Sequence, residues 1–115
     1  VGYSRAVKVG NIIEIAGTTA VDEHGNIYGE NNAYEQTTYI LKKMDKFLTI
    51  AGAGIGHVVR TRMYVTDISL WEEIGKAHGA FFKEIKPAAT MVEVSRLISP
   101  EMLVEIEATA IIPEP

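Results

Sequence analysis

The chain has 115 residues, 47% of them hydrophobic and 23% charged, with a formal net charge of −4 and no cysteine. That length fits a single domain, residues 1–115, able to bury a core without covalent staples, and the composition is that of a soluble globular protein. The missing cysteines exclude disulfides and thiolate nucleophiles, the acidic balance argues against a nucleic-acid partner, and no apolar run reaches the length of a membrane span or marks a signal peptide.

A cytoplasmic setting is the default expectation, and the opening Val1 in place of Met suggests that a few natural residues precede it. Ser4–Val9 is short and β-leaning. Gly10-Asn11 is a turn signal, and Ile12–Ala16 completes a hairpin. Asp22-Glu23-His24-Gly25-Asn26 reads as a polar turn before a brief strand at Ile27–Tyr28. Asn32 with Glu35 three residues on has the form of a capping box. The stripe Thr37, Ile40, Leu41, Met44, Phe47, Leu48 and Ala51 then predicts an amphipathic helix stopped by Gly52. Gly54 and Gly56 extend that stop; without a strand before them and a helix after, they are no phosphate loop.

Val58–Val65 predicts a strand, with Arg60, Arg62 and Tyr64 on one face and Val59, Thr61, Met63 and Val65 on the other. Asp67 or Ser69 caps a second helix, whose buried side is Leu70, Trp71, Ile74, Ala77, His78, Phe81 and Phe82. Ala88–Val94 is a further strand, and Ile98-Ser99-Pro100-Glu101 turns into the last one. There Val104, Ile106, Ala108, Ala110 and Ile112 alternate with Glu105, Glu107 and Thr109. The terminal Pro113-Glu114-Pro115 looks frayed. Three strands, a helix, a strand, a helix and two strands make an α+β domain: a five- to six-stranded mixed sheet with two helices on one face. The other face is charged. It either meets water or is covered by another subunit, in which case its ionised groups must be paired or used.

Glu105 and Glu107 point the same way. Paired carboxylates can activate water when desolvated; the commoner use is ion pairing across the sheet, here with Arg60 and Arg62. His24 lies in a turn, His57 follows glycines, and His78 lies on a buried helix face, where a hydrogen-bonded core histidine is the usual finding. None has metal-ligand spacing, so no metal and no cofactor is expected.

Arg60-Thr-Arg-Met-Tyr-Val-Thr-Asp67, Phe81-Phe82, Pro87-Ala-Ala-Thr90, Val92-Glu-Val-Ser-Arg-Leu97 and Val104-Glu-Ile-Glu-Ala108 resemble, in order and spacing, the RidA (YjgF-like) reactive intermediate deaminases, also labelled endoribonuclease L-PSP. Gly2-Tyr3-Ser4, Gly10-Asn11 and Ala16-Gly17 extend the likeness over nearly the whole chain. The resemblance implies a chorismate-mutase-like fold and a homotrimer with clefts between neighbouring subunits. It also implies cofactor-independent hydrolysis of imines or enamines of small metabolites. Glu105 matches the acidic residue that positions the hydrolytic water, and Tyr3 and Gly17 match cleft residues. Ala16, Gly75 and Met91 stand where the family has a serine, an asparagine and a cysteine. Ala89 stands where an arginine grips the substrate carboxylate, which argues against a standard 2-imino acid as substrate. Arg62 is a candidate for the replacement cation, with Arg5 and Arg96 as rivals, and an intersubunit salt bridge is the other reading of Arg62. A non-enzymatic small-ligand binder is the alternative, and a ribonuclease the least favoured reading.

Overall fold

The alternating segment near the C-terminus is the middle of the fold. In the computed structural model, which describes residues 2–114, five strands form one sheet. They are β1 (Ala6–Val9), β2 (Ile12–Thr18), β3 (Val58–Val65), β4 (Ala88–Glu93) and β5 (Val104–Ile111), in the order β1-β2-β5-β3-β4. Val1, and Pro115 of the end expected to fray, lie outside the described residues. Only β3 and β4 are parallel, and the helix α2 (Trp71–Phe82) makes the crossover between them. The other pairs are antiparallel. This is the α+β architecture expected, with five strands rather than six.

On β5 the residues Val104, Ile106, Ala108 and Ala110 are all buried, against Ile13 and Ile15 of β2 and Met63 and Val65 of β3. The helix α1 (Ala33–Ile50) lies over β2 and β5 and also packs on α2. It buries Ile40, Leu41, Met44 and Leu48 of the predicted stripe, with Phe47 and Ala51 at its margin. Each large aliphatic side chain so buried contributes about 1.5–3 kcal/mol, and this burial holds the helices to one face of the sheet.

The hairpin turn works because Gly10 takes a φ of +61°, which the first central residue of a type II′ turn requires. Asn11 then exchanges two hydrogen bonds with Ile112 and ties down the end of β5. Asn32 accepts the Glu35 N–H at 3.0 Å, so the predicted cap of α1 forms.

Four expectations are corrected. The strand at Ile27–Tyr28 shrinks to one bridge between Val21 and Ile27, because the Asp22 carboxylate accepts from the His24 and Asn26 amides and curls the chain. Asp67 caps a short 3-10 turn, Ile68–Leu70, and not α2, whose N-cap is Leu70 without a side-chain bond. Trp71, expected to be buried, is 56% exposed, because α2 starts only there and its buried side begins at Ile74. Val59 is exposed and Val58 buried, because a register shift against β5 between Val58 and Arg60 turns that end of β3 over.

Candidate functional site

Two residues of β2, Ala16 and Gly17, fall where its register against β5 shifts, between Ile15 and Thr18. The irregularity brings the Gly17 backbone against the Glu105 side chain. A Cβ on Gly17 would lie 2.2 Å from Glu105 Oε2, so only glycine leaves the carboxylate room. The Glu105 carboxyl is pushed above its ordinary pKa, first by burial and then by the charge of Glu107; Arg5 acts the other way.

Arg5 reaches the same place from just ahead of β1. Its guanidinium donates to the Tyr3 hydroxyl at 3.0 Å, to the Gly17 carbonyl at 3.2 Å and to Thr18 Oγ1 at 3.4 Å. It also lies 5.7 Å from the Tyr3 ring centre and 5.9 Å from that of Phe47. Tyr3, Arg5, Gly17 and Glu105 form one wall of a cleft of about 900 Å³. Tyr39, Lys43 and Phe47 of α1 and Met102 form much of the rest.

Two α1 side chains build this cleft from behind. Lys43 donates to the carbonyls of Thr19 and Val21 at 2.8 and 2.9 Å, which holds the segment after β2. Burial, then the charge of Arg5, lowers the pKa of its ammonium. Gln36, fully buried, donates to the carbonyls of Gly29 and Glu101 and accepts from the Leu103 amide at 2.9 Å. It thereby fastens the entry into β5 two residues before Glu105. Sequence reasoning passed over both Gln36 and Lys43. The spacing Ala33, Gln36, Thr37, Ile40 was the signal for the first; the second depends on where the loop lies.

The structure brings Tyr3, Gly17 and Glu105 together, and leaves the other predicted site residues elsewhere. Arg62 does not reach this cleft. It lies on the open sheet face with Ala16, Glu14 and Glu107, in a separate groove, because it stands opposite Glu107 and not Glu105. Ala89 and Met91 are opposite Thr61 and Met63, whose side chains face the helices, whereas Glu105 is opposite Tyr64 on the open face. Gly75 is exposed on α2, beside Trp71 and Lys76. Within one protomer none of these three lines the cleft of Glu105.

The expected pairing of Arg60 and Arg62 with the two glutamates is absent. The one ion pair among the described residues joins His24 to Glu23. Arg60 donates to Thr90 Oγ1 at 2.6 Å, and Glu107 accepts a short hydrogen bond from the Tyr64 hydroxyl, which raises the Tyr64 pKa. His78 is a core histidine: its Nε2 bonds Thr61 Oγ1 at 2.9 Å and its ring lies 4.6 Å from that of Phe82. Burial lowers its pKa, so it is neutral. His57 Nδ1 accepts from the Gly54 amide. Among the described residues no three His, Asp or Glu side chains gather closely enough to hold a metal ion, and no helix is long and apolar enough to cross a membrane.

The family model "Endoribonuclease L-PSP" matches residues 1–112. A RutC family protein of Pyrococcus abyssi is 35% identical over 94% of this chain and 84% of its own length. The 3-aminoacrylate deaminase RutC of Acinetobacter baylyi is 28% identical over 94% of this chain and 85% of its own. The crystal structure of Rv2704 from Mycobacterium tuberculosis, a member of the YjgF/YER057c/UK114 family, superposes with a TM-score of 0.87 at 46% identity, covering 97% of this chain and 88% of that one. The match spans both helices, all five strands and every residue of the cleft wall: the chain belongs to the endoribonuclease L-PSP family, the RidA-like group.

Proposed function

We propose that this protein hydrolyses the imine or enamine form of a small metabolite in a cleft shared by two subunits of a homotrimer, with Glu105 holding the attacking water. The observation that carries the reading is the Glu105 carboxyl itself. It is half-buried, seated on Gly17, open to a cleft, and raised in pKa by burial and by Glu107. A carboxyl so placed, with its pKa raised from the ordinary value, is a better base than an exposed glutamate and can take and return a proton. It takes a proton from water as the oxygen adds to the C=N carbon. An enamine reacts as its protonated imine tautomer; the carboxyl then returns its proton to the nitrogen of the carbinolamine, and as the C–N bond breaks the added hydroxyl gives its own proton to the departing ammonia, leaving a carbonyl and ammonium. No cofactor enters that balance.

Small-ligand binding and oligomers are typical of the family, and one relative bears the name 3-aminoacrylate deaminase, an enamine substrate. The trimer is supported by the placement of the expected site residues. Tyr3, Gly17 and Glu105 line one cleft, and Gly75, Ala89 and Met91 lie outside it. Two unlike half-sites on one chain meet only head to tail, and a head-to-tail interface that closes gives a ring.

Turnover of a panel of imines and enamines tests the chemistry: Glu105→Gln is expected to lose at least 100-fold in kcat. Equal rates for the variant and the unmodified protein on every compound would sink the mechanism, and binding without turnover would leave a ligand-binding protein. Sedimentation tests the assembly, and a single-chain species at micromolar concentration removes the shared cleft.

A further inference from the structure

We propose that the end of the cleft farthest from Arg5 is an apolar subsite walled by Val21, Tyr39, Ile98 and Met102, so that the imine or enamine taken here carries a branched or aromatic hydrocarbon group. This rests on the reading of the cleft given above and adds the chemical class of its ligand.

The cleft has two unlike ends. Tyr39, Lys43 and Phe47 stand on one face of α1, and the wall that they make runs for roughly 12 Å along the helix. At the Phe47 end Arg5 lies over the ring and bonds Tyr3, Gly17 and Thr18, so that end is polar. Glu105 belongs to it, because its carboxylate is seated on Gly17. At the other end Gln36, just ahead of Tyr39, bonds the Glu101 carbonyl and the Leu103 amide and so sets Met102 beside the helix. Met102 is three residues before Glu105, at most about 10 Å along the chain, so one small ligand spans from the carboxylate to this end.

Two observations mark this end as a place for hydrocarbon. Ile98 is 94% exposed although it lines the cleft. Tyr39 is a fixed wall: its ring stacks on Tyr28 with centres 4.6 Å and planes 19° apart, and the Lys43 ammonium stands 6.0 Å from its centre. A hydrocarbon group that settles against both takes Ile98 out of water without having to order Tyr39, so the gain from burial is opposed by little loss of side-chain freedom. The polar groups nearby are already engaged. The Lys43 ammonium donates to the Thr19 and Val21 carbonyls, the Asp22 carboxylate accepts from the His24 and Asn26 amides, and Glu23 pairs with His24. Discrimination at this end therefore rests on apolar fit, and the smallest imines, held at Glu105, leave it to water.

The test is a titration of the labelled protein with two pairs of carbonyl compounds that stand for the product: pyruvate against 4-methyl-2-oxopentanoate, and acetone against 4-methyl-2-pentanone. The amide shifts of Val21, Ile98 and Met102 are followed. Within at least one pair the larger member is expected to shift these amides and to bind at least tenfold more tightly than the smaller. Ile98→Ser, at an exposed position outside the core, should cut that preference at least threefold, and Tyr39→Ala should cut it further. Should Tyr39→Ala not fold, Ile98→Ser carries the test. Ile50→Ser removes an exposed isoleucine outside this cleft and should keep the preference within twofold. The proposal is overturned if neither larger compound shifts these amides, if size makes no difference in both pairs, or if Ile50→Ser costs as much as Ile98→Ser. Turnover separates the two readings. A protein that binds the larger compounds through Ile98 and turns over no imine keeps the subsite and loses hydrolysis. One that loses turnover with Glu105→Gln but hydrolyses imines of both sizes with equal kcat/KM keeps hydrolysis and loses the subsite.

Discussion

Glu105 Oε2 fills the position that a side chain on Gly17 would need: a Cβ there would sit 2.2 Å from it. The carboxylate and the glycine are thus one feature, and the cleft geometry depends on a missing methyl group. Gly17 has no positive φ, so this is a matter of space alone and not of backbone strain.

Gly17→Ala is therefore expected to separate function from stability. The clash is with the end of a flexible side chain, which can swing away, so the unfolding free energy should change by under about 1 kcal/mol. The displaced carboxylate should cost at least tenfold in turnover. Thermal unfolding and a turnover assay on the same preparation check both halves.

The stability of Glu105→Gln should depend on pH in a defined direction. The folded carboxyl titrates above its unfolded value of 4.5, so the unfolded chain holds fewer protons at neutral pH and the ionised group destabilises the fold. Its favourable contribution is complete below about pH 4.5 and is lost as pH rises through the folded pKa. The variant should thus melt about 1–3 °C higher than the unmodified protein at pH 7, and the gain should vanish at pH 4. A variant that melts lower at pH 7 would contradict the assignment.

His78 has the opposite signature for acid. Burial depresses its folded pKa below 6.5, so the unfolded state binds the proton first, and stability is lost as pH falls from about 6.5 towards the folded value. His78→Gln, which preserves a polar partner for Thr61, should flatten that part of the stability curve. Urea unfolding at pH 7.5 and 5.5 measures it.

Gln36→Leu should be among the more damaging single changes. It orphans the Leu103 amide and the carbonyls of Gly29 and Glu101. Leaving buried polar groups unpaired costs about 1–3 kcal/mol each at most sites, and a loss of about 2–4 kcal/mol is expected here. Faster amide exchange at Leu103 and Val104 would show that the damage sits at the entry to β5.

Much of the fold was legible in the chain. Alternation in Val104–Ile112 announced a strand with one apolar face because side-chain direction in a strand has a period of two, and the stripe from Thr37 to Ala51 announced α1 by its spacing. Glu105 and Gly17 could be singled out through the family resemblance, and their juxtaposition in one cleft follows it. Arg62, by contrast, was put forward for the cleft through the family resemblance, and β3 pairs it with Glu107, one step too far along. Trp71 and Val59 were misplaced for a similar reason: a 3-10 turn and a register shift reset the phase of a pattern that is regular in sequence.

Local periodicity therefore determined which segments are strands and helices and which face of each meets the core, since both depend on near neighbours in the chain. Only the tertiary structure decided which cation stands beside Glu105. Arg5 and Glu105 are a hundred residues apart in sequence, and what brings them together is the irregularity in β2 and the pairing of β2 with β5. Such a contact is set by register between strands, and no pattern within either strand encodes it.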